Sequence, residues 1–281
     1  RGRRTVFLGT TIVTYPHTYL RNNKNVLDNI NELERLKTQN PLKYFVPQNE
    51  AALQFLNDRD HNFKLFVAGK GSGKTTLMWI DILLDIVPCE QDWPIFTKHG
   101  VRWRPCIGPL KTGGIGIISY EWANQIQTIV PQVVMRWTPP KDLGDYAPGG
   151  SRVINWKNNP HMEIAGTPIW FHACSQAVTV FEGTARDLYW FDEQPDESVF
   201  NACNTRVRRR DGRHVASMTP YKIPGRPDTG AGGFLHKFHT GEMTAGLNVK
   251  FYYSDVFSLP AWIYSEDAKK KTERPYLSAR G

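Results

Sequence analysis

A glycine-rich segment that ends in lysine and threonine is the feature of this sequence with the clearest chemical capacity. Residues 68–75 read AGKGSGKT, between FKLFV at 63–67, a mostly apolar run that predicts a buried strand, and a helical pattern over 74–87. Glycines let the main chain approach a phosphate, and the helix start points N–H groups at it. Lys74 can reach the β and γ phosphates of a nucleotide, and Thr75 can ligate Mg²⁺; the alternative is a glycine-rich turn with a stray lysine. The predicted nucleotide-binding residues of this loop are Gly69, Lys70, Gly71, Ser72, Gly73, Lys74, Thr75 and Thr76.

Two acids follow a second apolar run. Residues 188–193 read LYWFDE, so a buried strand would carry both carboxylates to its C-terminal end. We predict that Asp192 holds Mg²⁺ through its water shell. Glu193, one residue further and free of the metal, would orient and deprotonate an attacking water. The alternative is that the two acids only cap the next helix.

Two hydroxyl residues follow a third predicted strand, over 214–218. Ser217 and Thr219 stand where this strand meets Pro220, and we expect them at the same edge of the sheet as the acids. There they can sense the γ phosphate of a nucleotide. The alternative is a strand that ends in an ordinary Thr-Pro turn.

Strands and helices alternate along the chain. Further predicted strands are 115–119 and 169–173, and predicted helices are 25–40, 121–130, 197–207 and one after Pro47. This alternation indicates an α/β fold with a mainly parallel sheet. Three units are expected. Residues 1–60 form a helical lead-in with the adenine-side segment, of which residues 1–24 are basic and irregular, and residues 61–225 form the nucleotide-binding core. Residues 226–281 form a small lid with a strand over 248–254, after a Pro- and Gly-rich hinge at 224–233.

Composition limits the classes of function. The chain has 281 residues, with 35 lysines and arginines against 27 acids and a net charge of +8. This balance favours an anionic partner such as nucleic acid, although a solvated surface would have it too. The best apolar stretch, 77–87, contains two aspartates, so no membrane span is predicted. Four widely spaced cysteines and no recognisable signal peptide point to reduced thiols in a cytoplasm.

The motifs taken in order resemble the ATPase domain of the large terminase subunit of tailed bacteriophages. AGKGSGKT is followed by FEGTARDLYWFDEQP at 181–195, RRRDGRHVASMTP at 208–220 and GGFLHKFH at 232–239, and the likeness covers about residues 25–281. It implies an additional-strand (ASCE type) P-loop NTPase with a small C-terminal lid subdomain. It also implies Mg²⁺-dependent ATP hydrolysis in the host cytoplasm that drives double-stranded DNA into a procapsid.

The resemblance carries expectations about partners and about missing parts. The implied partners are double-stranded DNA, the portal of the procapsid, a small terminase subunit and further copies of the chain in a ring of five. The end of the chain, YLSARG at 276–281, resembles the link to a nuclease domain. We therefore expect the nuclease after Gly281 and no DNA cleavage by this chain, because the few scattered acids beyond 233 cannot build a two-metal site.

The sequence departs from the family pattern at two places. The adenine-contacting glutamine could be Gln48, directly after the Tyr-Phe-Val-Pro element at 44–47, or Gln54. Glu182 stands where the family often has glutamine or arginine, so the arginine that stabilises the transition state must come from elsewhere. Candidates on this chain or its neighbour are Arg186, Arg206 and Lys70, each of which could also be an ordinary surface charge.

Other functions remain open at this level. Five arginines in the run 206–213 could contact DNA or a neighbouring subunit, or form a solvated loop. A nucleic-acid helicase or remodelling ATPase of related fold is the main alternative, although the sequence contains a single phosphate loop. A module that binds ATP without turnover is a third possibility, which a base beside the metal-binding acid argues against.

Overall fold

The computed structural model of this chain describes residues 3–8, 11–16, 24–69, 71–107, 113–146, 160–183, 185–219, 237–238 and 246–254. Its strands are β1 (Arg3–Leu8), β2 (Thr11–Pro16), β3 (Phe63–Ala68), β4 (Ile115–Ser119), β5 (His161–Ile164), β6 (Thr167–Ala173), β7 (Leu188–Asp192), β8 (Arg213–Met218) and β9 (Val249–Ser254). Its α-helices are α1 (Lys24–Gln39), α2 (Glu50–Asn57), α3 (Lys74–Ile86), α4 (Pro94–Thr97), α5 (Trp122–Asn124), α6 (Met135–Trp137), α7 (Val178–Glu182) and α8 (Glu197–Arg208). Short 3₁₀ turns occupy Leu42–Tyr44, Pro140–Asp142 and Gly144–Tyr146, and a π-helical segment, Gln125–Val134, joins α5 to α6.

The described chain is built around a seven-stranded sheet with the strand order β5-β6-β4-β7-β8-β3-β9. All neighbouring strands are parallel except β5, which runs antiparallel to β6. β8 lies between β3, which leads into the glycine-rich loop, and β7, which ends in the acids. The expected α/β fold with a mainly parallel sheet is confirmed.

Both faces of this sheet are covered by helices, so its central strands are mostly apolar. Every residue of β3, β4 and β7 is buried. One hydrophobic cluster unites α2, α3 and the π-helical segment with one face, and Trp190 lies in it. The other cluster unites α7 and α8 with the opposite face, and Phe191 lies there. The alternation along β7 therefore joins the two halves of the core through one strand.

The predicted elements of the core are confirmed with small shifts at their ends. The strands correspond to β3, β4, β6, β7 and β8, and the predicted helices to α1, α2, α3 and α8. The helix expected over 121–130 runs on to Trp137, with the π-helical segment in its middle. Pro131 lies inside that segment. Since proline has no N–H and its ring crowds the preceding turn, a wider turn suits it better than a regular α-helix.

Other elements differ from expectation. The basic start of the chain, expected to be irregular, contains an antiparallel hairpin of β1 and β2. The short strand β5 was not predicted. β9, which we assigned to the C-terminal lid, pairs with β3, so the main sheet continues past the predicted boundary at residue 225. The hinge at 224–233 and residues 255–281 lie outside the described residues.

No helix in the described part of the chain is long and apolar enough to cross a membrane.

Candidate functional site

The predicted phosphate loop and the predicted acids meet at the carboxyl edge of the sheet. β3, β8 and β7 are adjacent and parallel, so the residues that follow all three strands emerge together. The loop follows β3, Asp192 ends β7 with Glu193 next in the chain, and Thr219 follows β8. Topology thus brings three segments that are far apart in sequence to one site.

The loop bends sharply before α3. Gly71 and Gly73 have φ angles of 78° and 74°, in the left-handed region that glycine adopts without strain. A Cβ atom on Gly73 would also collide with the Gln48 side chain. Glycine is therefore required at position 73 by both backbone conformation and space. Lys70 lies outside the described residues, so its role stays a prediction.

Lys74 and Thr75 begin α3 and face the acids. Lys74 is nearly buried, and its Nζ lies 3.1 Å from Oε1 of Glu193. The Thr75 hydroxyl donates to Oδ1 of Asp192 at 3.1 Å. Thr76 follows in the same helical turn. The residues predicted to bind phosphate and metal thus contact the residues predicted to hold metal and activate water.

The Asp192 carboxylate is buried and bonded on both oxygens. Oδ1 accepts from Thr75 and, at 2.9 Å, from the Ser217 hydroxyl, and Oδ2 accepts from the Asn124 amide at 2.8 Å. Burial raises the pKa of Asp192 and the charge of Glu193 raises it further, whereas the hydrogen bonds from Asn124 and Ser217 oppose this rise in pKa. A buried carboxylate with a raised pKa favours a nearby cation.

Glu193 is held in an unusual backbone conformation. Its φ angle is 70°, rare for a residue with a side chain, and its N–H donates to the Ser217 carbonyl at 2.8 Å. The carboxylate accepts from the Thr219 N–H at 2.8 Å and from the Thr219 hydroxyl at 2.7 Å. This conformation turns Glu193 away from the strand direction and towards Lys74. The two acids do not merely cap α8.

These residues fit a nucleotide with Mg²⁺. Hydroxyl and carboxylate oxygens are the ligands that this ion prefers, and Thr75 and Asp192 supply both types side by side. Within the loop, the buried Ser72 hydroxyl has no hydrogen-bond partner among the described residues. Buried polar atoms are normally paired, so a partner from outside the chain is expected there.

The two candidate adenine contacts lie in different places. Gln48 packs against Gly73 of the loop. The next residue, Asn49, caps α2 through Ala52 N–H and donates to the Ser254 hydroxyl at 2.7 Å, which fixes the segment beside the loop. Gln54 lies on the exposed surface of α2 and donates to Glu50. The structure therefore brings Gln48, and not Gln54, to the site.

The candidate arginines lie away from the loop of their own chain. Arg186 precedes β7 at the amino edge of the sheet, where it donates to the Gly113 carbonyl at 3.2 Å and stacks 3.5 Å from the Trp170 ring centroid. It is buried, with 5% of its surface exposed. Arg206 is in the last turn of α8, towards the same amino edge. Neither reaches the carboxyl edge, and Arg186 is also too buried to reach a neighbouring subunit from this position.

Asn124 is a site residue that sequence reasoning missed. It follows β4, which pairs with β7 so that Ser119 lies opposite Asp192. A polar residue shortly after a buried strand was visible in the sequence. The contact with Asp192 also requires that β4 be the neighbour of β7, and no local pattern specifies this strand order.

The solved structures that match this chain include two bacteriophage large terminases. The large terminase of a thermophilic bacteriophage, in complex with ADP, matches at 15% identity and a TM-score of 0.49 over 81% of this chain and 50% of that one. The large terminase ATPase domain of Thermus phage P74-26 matches at 13% identity and a TM-score of 0.44, over 85% of this chain and 90% of that domain. This chain thus spans about half the length of the ADP-bound terminase. No protein-family model and no curated protein matches the sequence.

Proposed function

We propose that this chain is the ATP-hydrolysing motor domain of a bacteriophage large terminase, which moves double-stranded DNA into a procapsid. The observation that carries the ATPase part is the meeting of Lys74 with Glu193 and of Thr75 with Asp192, at 3.1 Å each. A phosphate-binding lysine, a metal-binding pair and a base then lie at one point. The packaging part rests on the motif resemblance.

Each residue has a distinct task in this proposal. The loop N–H groups and Lys74 bind the β and γ phosphates. Ser217 and Thr219 respond to the γ phosphate through the acids to which they are hydrogen-bonded. Thr75 and Asp192 would hold Mg²⁺. When bound, this ion neutralises charge that develops on the phosphates. Gln48 lies beside the loop, where it is available to the adenine end of the nucleotide.

Glu193 is the proposed general base. Its carboxylate is engaged by Lys74 and by both donors of Thr219, which describes a resting arrangement. To accept a proton from an attacking water, the carboxylate must give up the bond to Lys74. A γ phosphate offers Lys74 a competing anion. Nucleotide binding would thus free the base that acts on it.

The proposal includes partners that complete the motor. A positively charged group is needed at the γ phosphate, and it must come from a neighbouring copy or from Lys70 because Arg186 and Arg206 lie at the other edge of their own sheet. Arg206 is the more accessible of them, and Lys70 remains a candidate within the chain. A ring of five copies, the portal of the procapsid and a small terminase subunit complete the assembly in the host cytoplasm.

ATP turnover measured with and without double-stranded DNA and portal-bearing procapsids tests the proposal. We expect Mg²⁺-dependent hydrolysis that procapsids stimulate. Turnover that is absent under all conditions would contradict the ATPase assignment. Unwinding of duplex DNA without procapsids would replace the packaging role with a helicase role.

A further inference from the structure

Asp192 is clamped from both sides of its own strand. The sheet order β4-β7-β8-β3 places β7 between β4 and β8. Thr75 and Ser217, which both bond to Oδ1, come from the β3 and β8 side. Asn124, which bonds to Oδ2 at 2.8 Å, comes from the β4 side. Among the described residues, Asn124 is thus the donor that restrains the carboxylate from its second side.

The segment that carries Asn124 is anchored to the sheet. Its neighbour Gln125 is fully buried, and the Gln125 amide donates to the carbonyls of Ile117 on β4, at 3.0 Å, and His172 on β6, at 2.9 Å. The Asn124 N–H donates to the Glu121 carbonyl at 3.2 Å. The two adjacent side-chain amides therefore have separate tasks, since Gln125 fixes the segment to the sheet and Asn124 donates to Asp192.

A neutral amide is well suited to this position. A lysine or arginine would neutralise Asp192 and weaken its attraction for a cation, and an acid would repel it. The Asn124 side-chain N–H group restrains the orientation of the carboxylate and leaves its charge intact. Outer groups of this kind commonly affect metal affinity by about ten- to a hundredfold. The contribution of Thr75 differs, because its hydroxyl is itself a proposed metal ligand.

We propose that Asn124 is a positioning residue that fixes the Asp192 carboxylate for Mg²⁺. The inference rests on the proposed nucleotide site. Asn124 would act through Asp192 without touching the nucleotide. Its loss should therefore weaken Mg²⁺-dependent binding and leave metal-free nucleotide binding nearly unchanged.

Two variants of the full chain test this role. Asn124→Leu keeps a similar shape without a donor, and Asn124→Ala removes the amide without adding bulk. Asn201→Leu is the matched control, since Asn201 is an exposed asparagine on α8. Binding of a fluorescent ADP is measured in EDTA and then across a Mg²⁺ titration, and thermal unfolding shows which variants are folded.

We expect the Mg²⁺ midpoint to rise about tenfold in both Asn124 variants, with binding in EDTA within about twofold of wild type. Asn201→Leu should behave as wild type. An unchanged Mg²⁺ midpoint in folded Asn124 variants, or an equal loss of binding with and without Mg²⁺, would overturn this inference and leave the proposed function standing. Failure of both variants to fold would also overturn it. If wild-type binding does not respond to Mg²⁺, the proposed function fails and this inference fails with it.

Discussion

Replacing Glu193 with glutamine should separate nucleotide binding from the ATP hydrolysis proposed for this chain. Glu193→Gln keeps the size of the side chain and an oxygen that can accept from the Thr219 N–H. It removes the negative charge beside Lys74 and the ability to take a proton. Binding should survive because the loop and Asp192 are untouched. Hydrolysis should fall because the water loses its base.

The expected magnitudes follow from the local structure. The Lys74 and Glu193 side chains are 11% and 26% exposed, so loss of their ion pair should cost about 1 kcal/mol or less after solvent screening. Loss of a general base lowers rates by roughly 10²-fold or more, which corresponds to about 2.7 kcal/mol in the barrier. The effect on turnover should thus exceed the effect on folding stability.

Single-turnover hydrolysis, with nucleotide affinity measured on the same protein, provides the assay. Glu197→Gln is the matched control, because Glu197 is a partly exposed acid whose carboxylate lies 3.5 Å from Lys237, outside the site. The control should keep wild-type turnover. If Glu193→Gln loses binding and hydrolysis in parallel, the residue is structural or a metal ligand and the assignment of the base is wrong.

Three further perturbations test other parts of the site and the fold. Lys74→Ala should abolish ATP turnover and weaken nucleotide binding, because the phosphates lose a charge; normal turnover in a kinetic assay would contradict the phosphate-loop assignment. Mixing Lys74→Ala with Arg206→Ala chains should restore part of the ATPase activity if Arg206 acts across an interface, and no recovery in verified rings would exclude that role. Burial lowers the pKa of His214 to about 3, so below pH 6.5 the unfolded chain binds a proton at this residue that the native chain does not, and the contribution of His214 to stability should fall by about 1.4 kcal/mol per pH unit down to about pH 3. Phenylalanine at position 214 suits the surrounding Phe63 and Phe200 rings. Urea unfolding of His214→Phe should show a pH dependence of the unfolding free energy that is smaller by the slope of one proton, and an unchanged pH dependence would refute the assignment.

The parts of the fold that sequence predicted are those with a local cause. Buried parallel strands are largely apolar on both faces, so β3, β4 and β7 are visible as mostly apolar runs, although β3 contains Lys64. The loop was visible because its glycines and Lys74 follow one such run. The short edge strand β5 has only four residues, of which two are exposed, and lacks such a signal.

Features that depend on strand order could not be predicted. The contact between Asn124 and Asp192 requires β4 beside β7, and the place of β9 requires its pairing with β3. Arg186 illustrates the same limit. It was a candidate for the arginine that stabilises the transition state, but the five-residue strand β7 lies between it and Asp192 and places it at the opposite edge of the sheet.

Helix α3 and strand β8 connect the edge of the sheet that carries the candidate site to the opposite edge. α3 begins with Lys74 at the loop, and Asp81 lies about two turns further on. β8 ends beside the acids and begins with Arg213, which donates to Asp81 at 2.8 Å. Asp81 is fully buried and also pairs with Lys64 of β3 at 3.0 Å. Because breaking a buried ion pair leaves an uncompensated charge, α3, β8 and β3 cannot slide past one another at low cost. In the proposed ATPase, these three elements would therefore respond to a nucleotide as one unit.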